Sequence, residues 1–352
     1  MDLGGQLMDN LVIEKVIMPV SECVPGMTLM QAIVDMNTGT TIVGKGQILT
    51  EKSIEKLKNF EHTQIWISTQ SETSVWQLNN KTLENYKRYT AILKTILEDV
   101  GNRKLLSIDK LIELADSIVT EFKQEYQLLA CVNLLNQLEK DTYERSINVA
   151  FLSLLMGKWE GYNKNKLKDL VLAALLHDVG EILLSPFTLN KTEEDMNYME
   201  KLEYKRHPIY SYEKLVTYNE ISIEALKGVL SHHERCDGSG YPLSIKEDRI
   251  NDIAKIIGLA DTYNDLKKHY HIFEVIRRLG NTMLRKFEVN LLFEFCNNII
   301  NYYIGCSVLL NTGEVGEVVF IQPQAWGRPI INIKGELVNL YEKIHLEIVK
   351  VL

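Results

Sequence analysis

A long helical pattern in the middle of the chain restricts the fold more than any other feature. From residue 81 to about residue 303, apolar residues recur at intervals of three and four, as they do on the buried face of a helix. The prolines of this region are Pro186, Pro208 and Pro242, and each stands where one helix would end or the next begin. The sequence therefore predicts a mainly α-helical domain over residues 81–304.

Both ends of the chain follow a different pattern. In residues 1–70, short apolar segments alternate with turn residues, and a helix is expected at 53–60 before a strand at 63–67. This predicts a small N-terminal α/β unit, followed by a polar linker over residues 71–80. Residues 305–352 contain β-branched runs and predict a small C-terminal β unit. The runs are at 307–310, 316–322 and 329–334.

Net charge and cysteine content limit which binding partners and which cellular compartment are expected. With 39 Lys and Arg against 47 Asp and Glu, the net charge of −8 gives no field that attracts a nucleic-acid polymer or an anionic membrane. The apolar run at 170–176 is far shorter than the ~20 residues of a membrane helix, and the N-terminus shows no signal pattern. The five cysteines lack CxxC spacing and fit reduced thiols. We therefore expect a cytoplasmic protein with neither a membrane nor a nucleic-acid polymer as partner.

Two aspartates lie on apolar helices, where a carboxylate is costly unless it is paired or bound to a metal. An almost wholly apolar helix over residues 166–176 ends at His177-Asp178, and we expect Gly180 to let the chain turn away and expose the Asp178 oxygens. Asp261 shares a helical face with Ala254 and Ile257. Taken alone, Asp261 is better explained by a helix cap or by pairing with an arginine than by a metal.

A histidine pair ends another predicted helix. His232-His233 occupy the last turn after residues 223–230, and adjacent side chains can meet one ion only where a helix is ending. The following Gly240, Tyr241 and Pro242 combine close backbone approach, an aromatic ring and a stiff exit. Each of these pieces is weak alone, and the combination is specific.

The ordered set of segments resembles the HD-GYP family of metal-dependent phosphohydrolases over roughly residues 141–266. The matching segments are His177-Asp178-Val179-Gly180, His207-Pro208, His232-His233-Glu234-Arg235-Cys236-Asp237-Gly238-Ser239-Gly240-Tyr241-Pro242 and Ala260-Asp261.

The resemblance implies an HD-type helical bundle that binds divalent transition metals, iron or manganese, and hydrolyses cyclic di-GMP. By position, Asp178 would bridge two metals and be the catalytic residue. His177 and Asp261 would bind the first ion, and His207, His232 and His233 the second. Gly240, Tyr241 and Pro242 would contact the substrate. Nitrogen and oxygen ligands without cysteine suit such metals.

The chain departs from the family pattern around the first metal. Arg145 stands where the family has a histidine, Glu181 replaces a lysine, Asn264 replaces an aspartate, and residues 267–270 shorten an Arg-x-Tyr-Arg segment. We hypothesise that Arg145 and Glu181 form an ion pair in the space of the first metal. Alternatively both side chains point to solvent and one ion binds weakly, or Asp141 and Glu181 supply carboxylate ligands, although Asp141 is better placed for a surface bridge to Arg145.

These residues leave enzymatic turnover undecided. We expect an HD-GYP-like protein that binds a cyclic dinucleotide such as cyclic di-GMP with one or two metal ions, and that hydrolyses it if turnover survives. The alternative is a catalytically degenerate nucleotide receptor or a protein-interaction scaffold, in which helices over residues 81–139 form a homodimer or bind a protein partner.

Overall fold

The computed structural model divides the chain into two compact units, Met1–Asn80 and Lys81–Leu352. It describes residues 16–30, 33–34, 41–44, 46–58, 64–68, 80–102, 105–122, 128–129, 131–132, 142–185, 191, 195–322 and 325–352. The predicted linker therefore lies outside the described residues except for Asn80, and Asp141 and Pro186 lie outside them as well.

The first unit is a small α/β arrangement. Its strands are β1 (Val16–Pro19), β2 (Thr28–Leu29), β3 (Ile33–Val34), β4 (Thr41–Val43) and β5 (Gln64–Ser68), with one helix, α1 (Glu51–Lys58). Strands β1, β5 and β2 form an antiparallel sheet in that order, and β3 pairs with β4. The Oγ1 of Thr50 accepts a hydrogen bond from the backbone N–H of Ser53, so the helix begins two residues before the predicted start.

Helices dominate the second unit. They are α2 (Asn80–Gly101), α3 (Ile108–Glu121), α4 (Thr142–Trp159), α5 (Lys164–Leu176), α6 (Tyr198–Tyr204), α7 (His207–Leu215), α8 (Ile223–Ser231), α9 (Asp252–His269), α10 (Ile272–Thr282) and α11 (Val289–Asn301). The mainly helical fold class is therefore confirmed. None of the helices in the described ranges is long and apolar enough to cross a membrane.

The central helix α5 carries one side of the candidate site. The side chain of Asn163 caps its first turn by accepting from the N–H of Lys166, and its apolar residues are buried among α3, α4, α8 and α9. Because residues 170–176 of α5 are all buried, the residues that follow its last turn are held inside the unit.

A five-stranded antiparallel sheet ends the chain, in the order β10-β6-β7-β8-β9. The strands are β6 (Ser307–Leu310), β7 (Val315–Phe320), β8 (Ile330–Ile333), β9 (Glu336–Asn339) and β10 (Ile348–Val351). Trp326 joins this sheet to the helices, since its indole N–H donates to Asn297 Oδ1 at 2.5 Å and its ring packs against Phe293. The predicted runs correspond to β6, β7 and β8, whereas the sequence pattern missed β9 and β10.

Candidate metal centre

His177 and Asp178 lie directly after the last turn of α5, where a 3₁₀ turn, Val179–Leu183, begins. Both side chains are buried. Gly180 does not take a left-handed backbone conformation here, and the Asp178 oxygens that we expected it to expose are buried. Its role is close packing, because a Cβ at Gly180 would lie 2.1 Å from the carbonyl oxygen of His207. The missing side chain lets the start of α7 approach Asp178.

Three imidazoles converge on Asp178 from the start of α7 and the end of α8. His207 Nε2 lies 3.3 Å and His232 Nε2 3.4 Å from Asp178 Oδ1. His233 Nε2 lies 3.1 Å from His207 Nε2, which in turn is 3.5 Å from His232 Nε2. One ligand atom from each of these four residues falls within 4.8 Å of all the others, so the group could hold a metal ion.

In two of these rings, a backbone carbonyl determines which nitrogen carries a hydrogen. His207 Nδ1 lies 2.8 Å from the Tyr204 carbonyl and His232 Nδ1 lies 2.7 Å from the Val229 carbonyl. A carbonyl only accepts, so each Nδ1 carries a hydrogen, which leaves Nε2 as the ring nitrogen that can bind a metal. Burial lowers the pKa of His232 to about 4 and that of His233 well below its usual value, which keeps both neutral.

Buried nitrogen and oxygen atoms of the cluster complete the argument for a cation. The Nε2 atoms of His207 and His232 lie 3.5 Å apart, and a positive centre between them would relieve the repulsion of their lone pairs. Both carboxylate oxygens of Asp178 are also buried, and their neighbours are imidazole nitrogens. His177 Nε2 lies 2.9 Å from Oδ2, and His207 and His232 Nε2 lie 3.3 and 3.4 Å from Oδ1. The residues of this cluster therefore fit a divalent metal, with nitrogen and oxygen ligands and no sulfur.

A second group, His177, Asp178 and Asp261, could also hold a metal by distance, but a side chain already supplies positive charge there. Arg145 projects from α4, and its Nη2 and Nε donate to Asp261 Oδ1 at 2.7 and 3.0 Å. Nη2 also donates to Asp265 Oδ2 at 3.2 Å, and Nε lies 3.6 Å from Asp178 Oδ2. The guanidinium is thus bound by three carboxylates.

Arg145 and the aspartates around it stabilise one another in their charged forms. Burial opposes the charge of Arg145, but Asp261, Asp265 and Asp178 outweigh it and raise the pKa of Arg145 well above its usual value. Burial likewise favours protonated Asp261, yet the Arg145 charge holds the pKa of that carboxyl well below its usual range. Asp261 therefore has the arginine partner that its position on an apolar face also allowed.

Comparisons with known proteins find an HD domain in this chain. The HD domain family matches residues 129–277. The chain is 29% identical over 193 residues to the cyclic di-GMP phosphodiesterase PdeB of Borreliella burgdorferi, covering 53% of this chain and 50% of that protein. It is 33% identical over 163 residues to the cyclic di-GMP phosphodiesterase response regulator RpfG of Xanthomonas campestris, covering 40% of this chain and 42% of that protein.

A solved structure shares the fold. Bd1817, an HDG"Y"P protein from Bdellovibrio bacteriovorus, aligns with a TM-score of 0.53 at 16% identity, covering 82% of this chain and 100% of that one. The matched HD domain and these relatives support an HD-GYP family protein. It spans about half the length of the two curated relatives above.

Two charged residues of the HD-GYP loop after α8, Glu234 and Arg235, hydrogen-bond to the backbone and fix the conformation of the loop. Glu234 accepts hydrogen bonds from the backbone N–H groups of Leu243 at 2.6 Å and Ile245 at 3.1 Å. Arg235 donates to the His232 carbonyl at 3.0 Å. These contacts place the Tyr241 ring against His233, with ring centroids 4.6 Å apart and planes inclined by 27°. Tyr241 therefore forms one wall of the metal cluster.

The departures from the HD-GYP pattern are arranged differently from our hypothesis. In the described part of the chain, no ion pair joins Arg145 and Glu181, so the proposed pair is wrong. Glu181 instead accepts a hydrogen bond from the Tyr204 hydroxyl at 2.8 Å. The solvent-facing alternative is also wrong, because the Arg145 side chain is only 16% exposed and Glu181 is buried. Asn264 is buried on α9.

Sequence reasoning missed two residues that shape this HD-GYP site. Asp265 lies one turn after Asp261 on α9, and that spacing was a signal for a second carboxylate facing Arg145. Ser211 accepts from the Gly180 N–H at 2.8 Å and donates to the His177 carbonyl at 2.9 Å. No sequence pattern pointed to Ser211, because its partners come from another element.

Proposed function

We propose that this HD-GYP protein holds one divalent cation through Asp178, His207, His232 and His233 and uses it to bind a cyclic dinucleotide such as cyclic di-GMP. The observation that carries the proposal is the convergence of imidazole Nε2 atoms whose Nδ1 atoms face backbone carbonyls. In such a cluster a cation would be met by nitrogen lone pairs and by the Asp178 carboxylate. The names of the curated relatives, which are cyclic di-GMP phosphodiesterases, support the class of ligand.

The donor set favours iron or manganese as the cation, because imidazole and carboxylate ligands without thiolate suit these metals. A bound ion there would lower the pKa of a water molecule and polarise a phosphoryl oxygen. Gly240, Tyr241 and Pro242 form the adjoining wall that contacts the ligand. His177 and Asp261 face Arg145 and serve the first position only when that arginine is absent.

Turnover is slow in this proposal. Arg145 supplies charge at the first position but cannot release a proton, so it gives no nucleophile. Glu181 places a carboxylate near the reacting phosphate, where a cation would stabilise developing charge. The loss of one electrostatic contact of this kind typically lowers the rate by about 10²- to 10³-fold. Because such contacts act mainly in the transition state, ligand binding is retained.

The Arg145 contacts also favour a second candidate function, a receptor that binds the dinucleotide without cleaving it. Both are tested on protein loaded with Mn²⁺ or Fe²⁺, by titration calorimetry with cyclic di-GMP and by chromatography of the products. We expect one ion per chain, measurable binding and slow or undetectable cleavage. His232→Ala should abolish metal and ligand binding together, whereas His345→Ala, an imidazole outside the cluster, should change neither. Wild-type protein without metal affinity would contradict the proposal, and rapid turnover would contradict slow catalysis.

A further inference from the structure

Lys205 stands beside the metal cluster on an exposed corner of the fold. It directly follows α6, and its Nζ lies 5.5 Å from the centroid of the Tyr241 ring. This distance is within the range of a cation–π contact. Lys205 is exposed, and among the described residues no carboxylate forms an ion pair with it. Its ammonium group therefore keeps donors for an external acceptor.

The contacts of Tyr241 place this ammonium at the entrance of the cluster. The Tyr241 ring stacks on His233 and lies 6.2 Å from the His207 ring, measured between centroids. His207 itself follows Lys205 by two residues, and its Nδ1 bonds the carbonyl of the residue that precedes Lys205. The lysine and the cluster are thus connected through one ring and one short backbone segment.

One carboxylate of the site favours an additional cation when a phosphate binds. Asp178, Glu181, Asp261 and Asp265 surround or adjoin the centre. Arg145 pairs with the three aspartates, and Lys268 Nζ also lies 3.0 Å from Asp265 Oδ1. Among the described residues, Glu181 is the carboxylate of this group with which no cationic side chain forms an ion pair. A phosphodiester carries a further negative charge and would be repelled unless a positive group met it at the entrance.

We propose that Lys205 is a phosphate-binding residue of this site, contacting a phosphate of the bound cyclic dinucleotide. This inference rests on the proposed function and assigns one phosphate contact within it. The face of the Tyr241 ring holds the ammonium group of Lys205 in place. The N–H bonds of that ammonium group that point away from the ring donate to phosphate oxygens. Glu181 stands where the family has a positively charged lysine, and Lys205 supplies a positive charge from a different position in the chain.

The test compares Lys205→Gln with Arg206→Gln in metal-loaded protein. Arg206 is the exposed neighbour whose guanidinium lies over Tyr210 rather than Tyr241, which makes it a matched control. We expect Lys205→Gln to weaken cyclic di-GMP binding about tenfold and to reduce its salt dependence. Arg206→Gln should change the affinity by less than about twofold. Metal content should be unchanged in both variants, and Lys205→Arg should retain most of the affinity.

Three results would overturn the assignment while leaving the proposed function intact. They are unchanged affinity in Lys205→Gln, equal losses in both glutamine variants, which would indicate a general field effect, and loss of the metal in Lys205→Gln, which would indicate a structural role. If metal-loaded wild-type protein binds no cyclic dinucleotide, the proposed function and this inference are both wrong.

Discussion

Replacing Arg145 should change both the stability and the metal content of the HD-GYP centre. Its guanidinium makes two hydrogen bonds to Asp261, one to Asp265 and a longer contact with Asp178. Arg145→Met leaves the buried carboxylates without a partner, and breaking a buried pair in this way costs about 3–5 kcal/mol. At roughly 2–4 °C per kcal/mol for a unit of this size, the Tm of metal-free protein should fall by about 6–20 °C.

Arg145→His adds a ligand instead of only removing a charge. An imidazole at this position would join His177, Asp178 and Asp261, so we expect two ions per chain in this variant and one in the wild type. Metal at about 100 times its dissociation constant stabilises a folded protein by roughly 2.7 kcal/mol, or about 5–11 °C here. The methionine variant should not regain this stability, because its side chain offers no comparable ligand.

The assay is thermal unfolding with and without Mn²⁺, together with elemental analysis of the purified proteins. Arg88→Met is a matched control, since Arg88 pairs with Glu121 at the surface with half of its side chain exposed. Its loss should change stability by less than about 1 kcal/mol. The reasoning is refuted if Arg145→Met unfolds at the wild-type temperature, or if the wild type already holds two ions.

Three further substitutions test the surroundings of the site. In Gly240→Ala, the new Cβ would lie 2.4–2.5 Å from backbone atoms of the preceding residues 233–235, so cyclic di-GMP affinity should fall at least about tenfold by calorimetry with the metal retained; equal affinity would contradict this role. Ser211→Ala removes buried hydrogen bonds to Gly180 and His177 and should lower the free energy of unfolding by about 1–3 kcal/mol in a denaturant titration, whereas no change would show that these bonds contribute nothing. Glu181→Gln removes a negative charge while retaining an acceptor for the Tyr204 hydroxyl, and should strengthen cyclic di-GMP binding about tenfold; weaker binding would contradict the charge argument.

The sequence predicted the ends of the site helices because burial patterns and chain breaks are local signals. The apolar run of α5 located His177 and Asp178 at a buried helix end, and His232 and His233 could be placed after the last turn of α8 by the same reasoning. Local sequence patterns do not determine the distances between helix ends that are far apart along the chain. The approach of His207 to Asp178 depends on Gly180 packing against a carbonyl, which becomes visible only in three dimensions.

The partners of Arg145 show where sequence reasoning fails. We expected Glu181 to pair with Arg145, because the two departures from the family have opposite charges. The structure instead joins Arg145 to Asp261 and Asp265, which lie 116 and 120 residues away along the chain. Opposite charges identify possible partners, but the packing of α4 against α9 decides which of them meet. Strand β9 was missed for a related reason, since its short polar segment is stabilised by pairing with β8.

An arginine in this position separates the structural contribution of a cation from its chemical one. The buried carboxylates of Asp178 and Asp261 need a positive partner for the fold to be stable, and a guanidinium meets that need permanently and without metal supply. A metal ion would also lower the pKa of water, which a guanidinium cannot do. One substitution can therefore preserve the fold, the remaining metal cluster and the ligand wall while it removes much of the chemistry. We therefore expect the wild type to bind its ligand and to turn it over slowly. In the Arg145→His variant, a metal ion should supply both the structural and the chemical contribution.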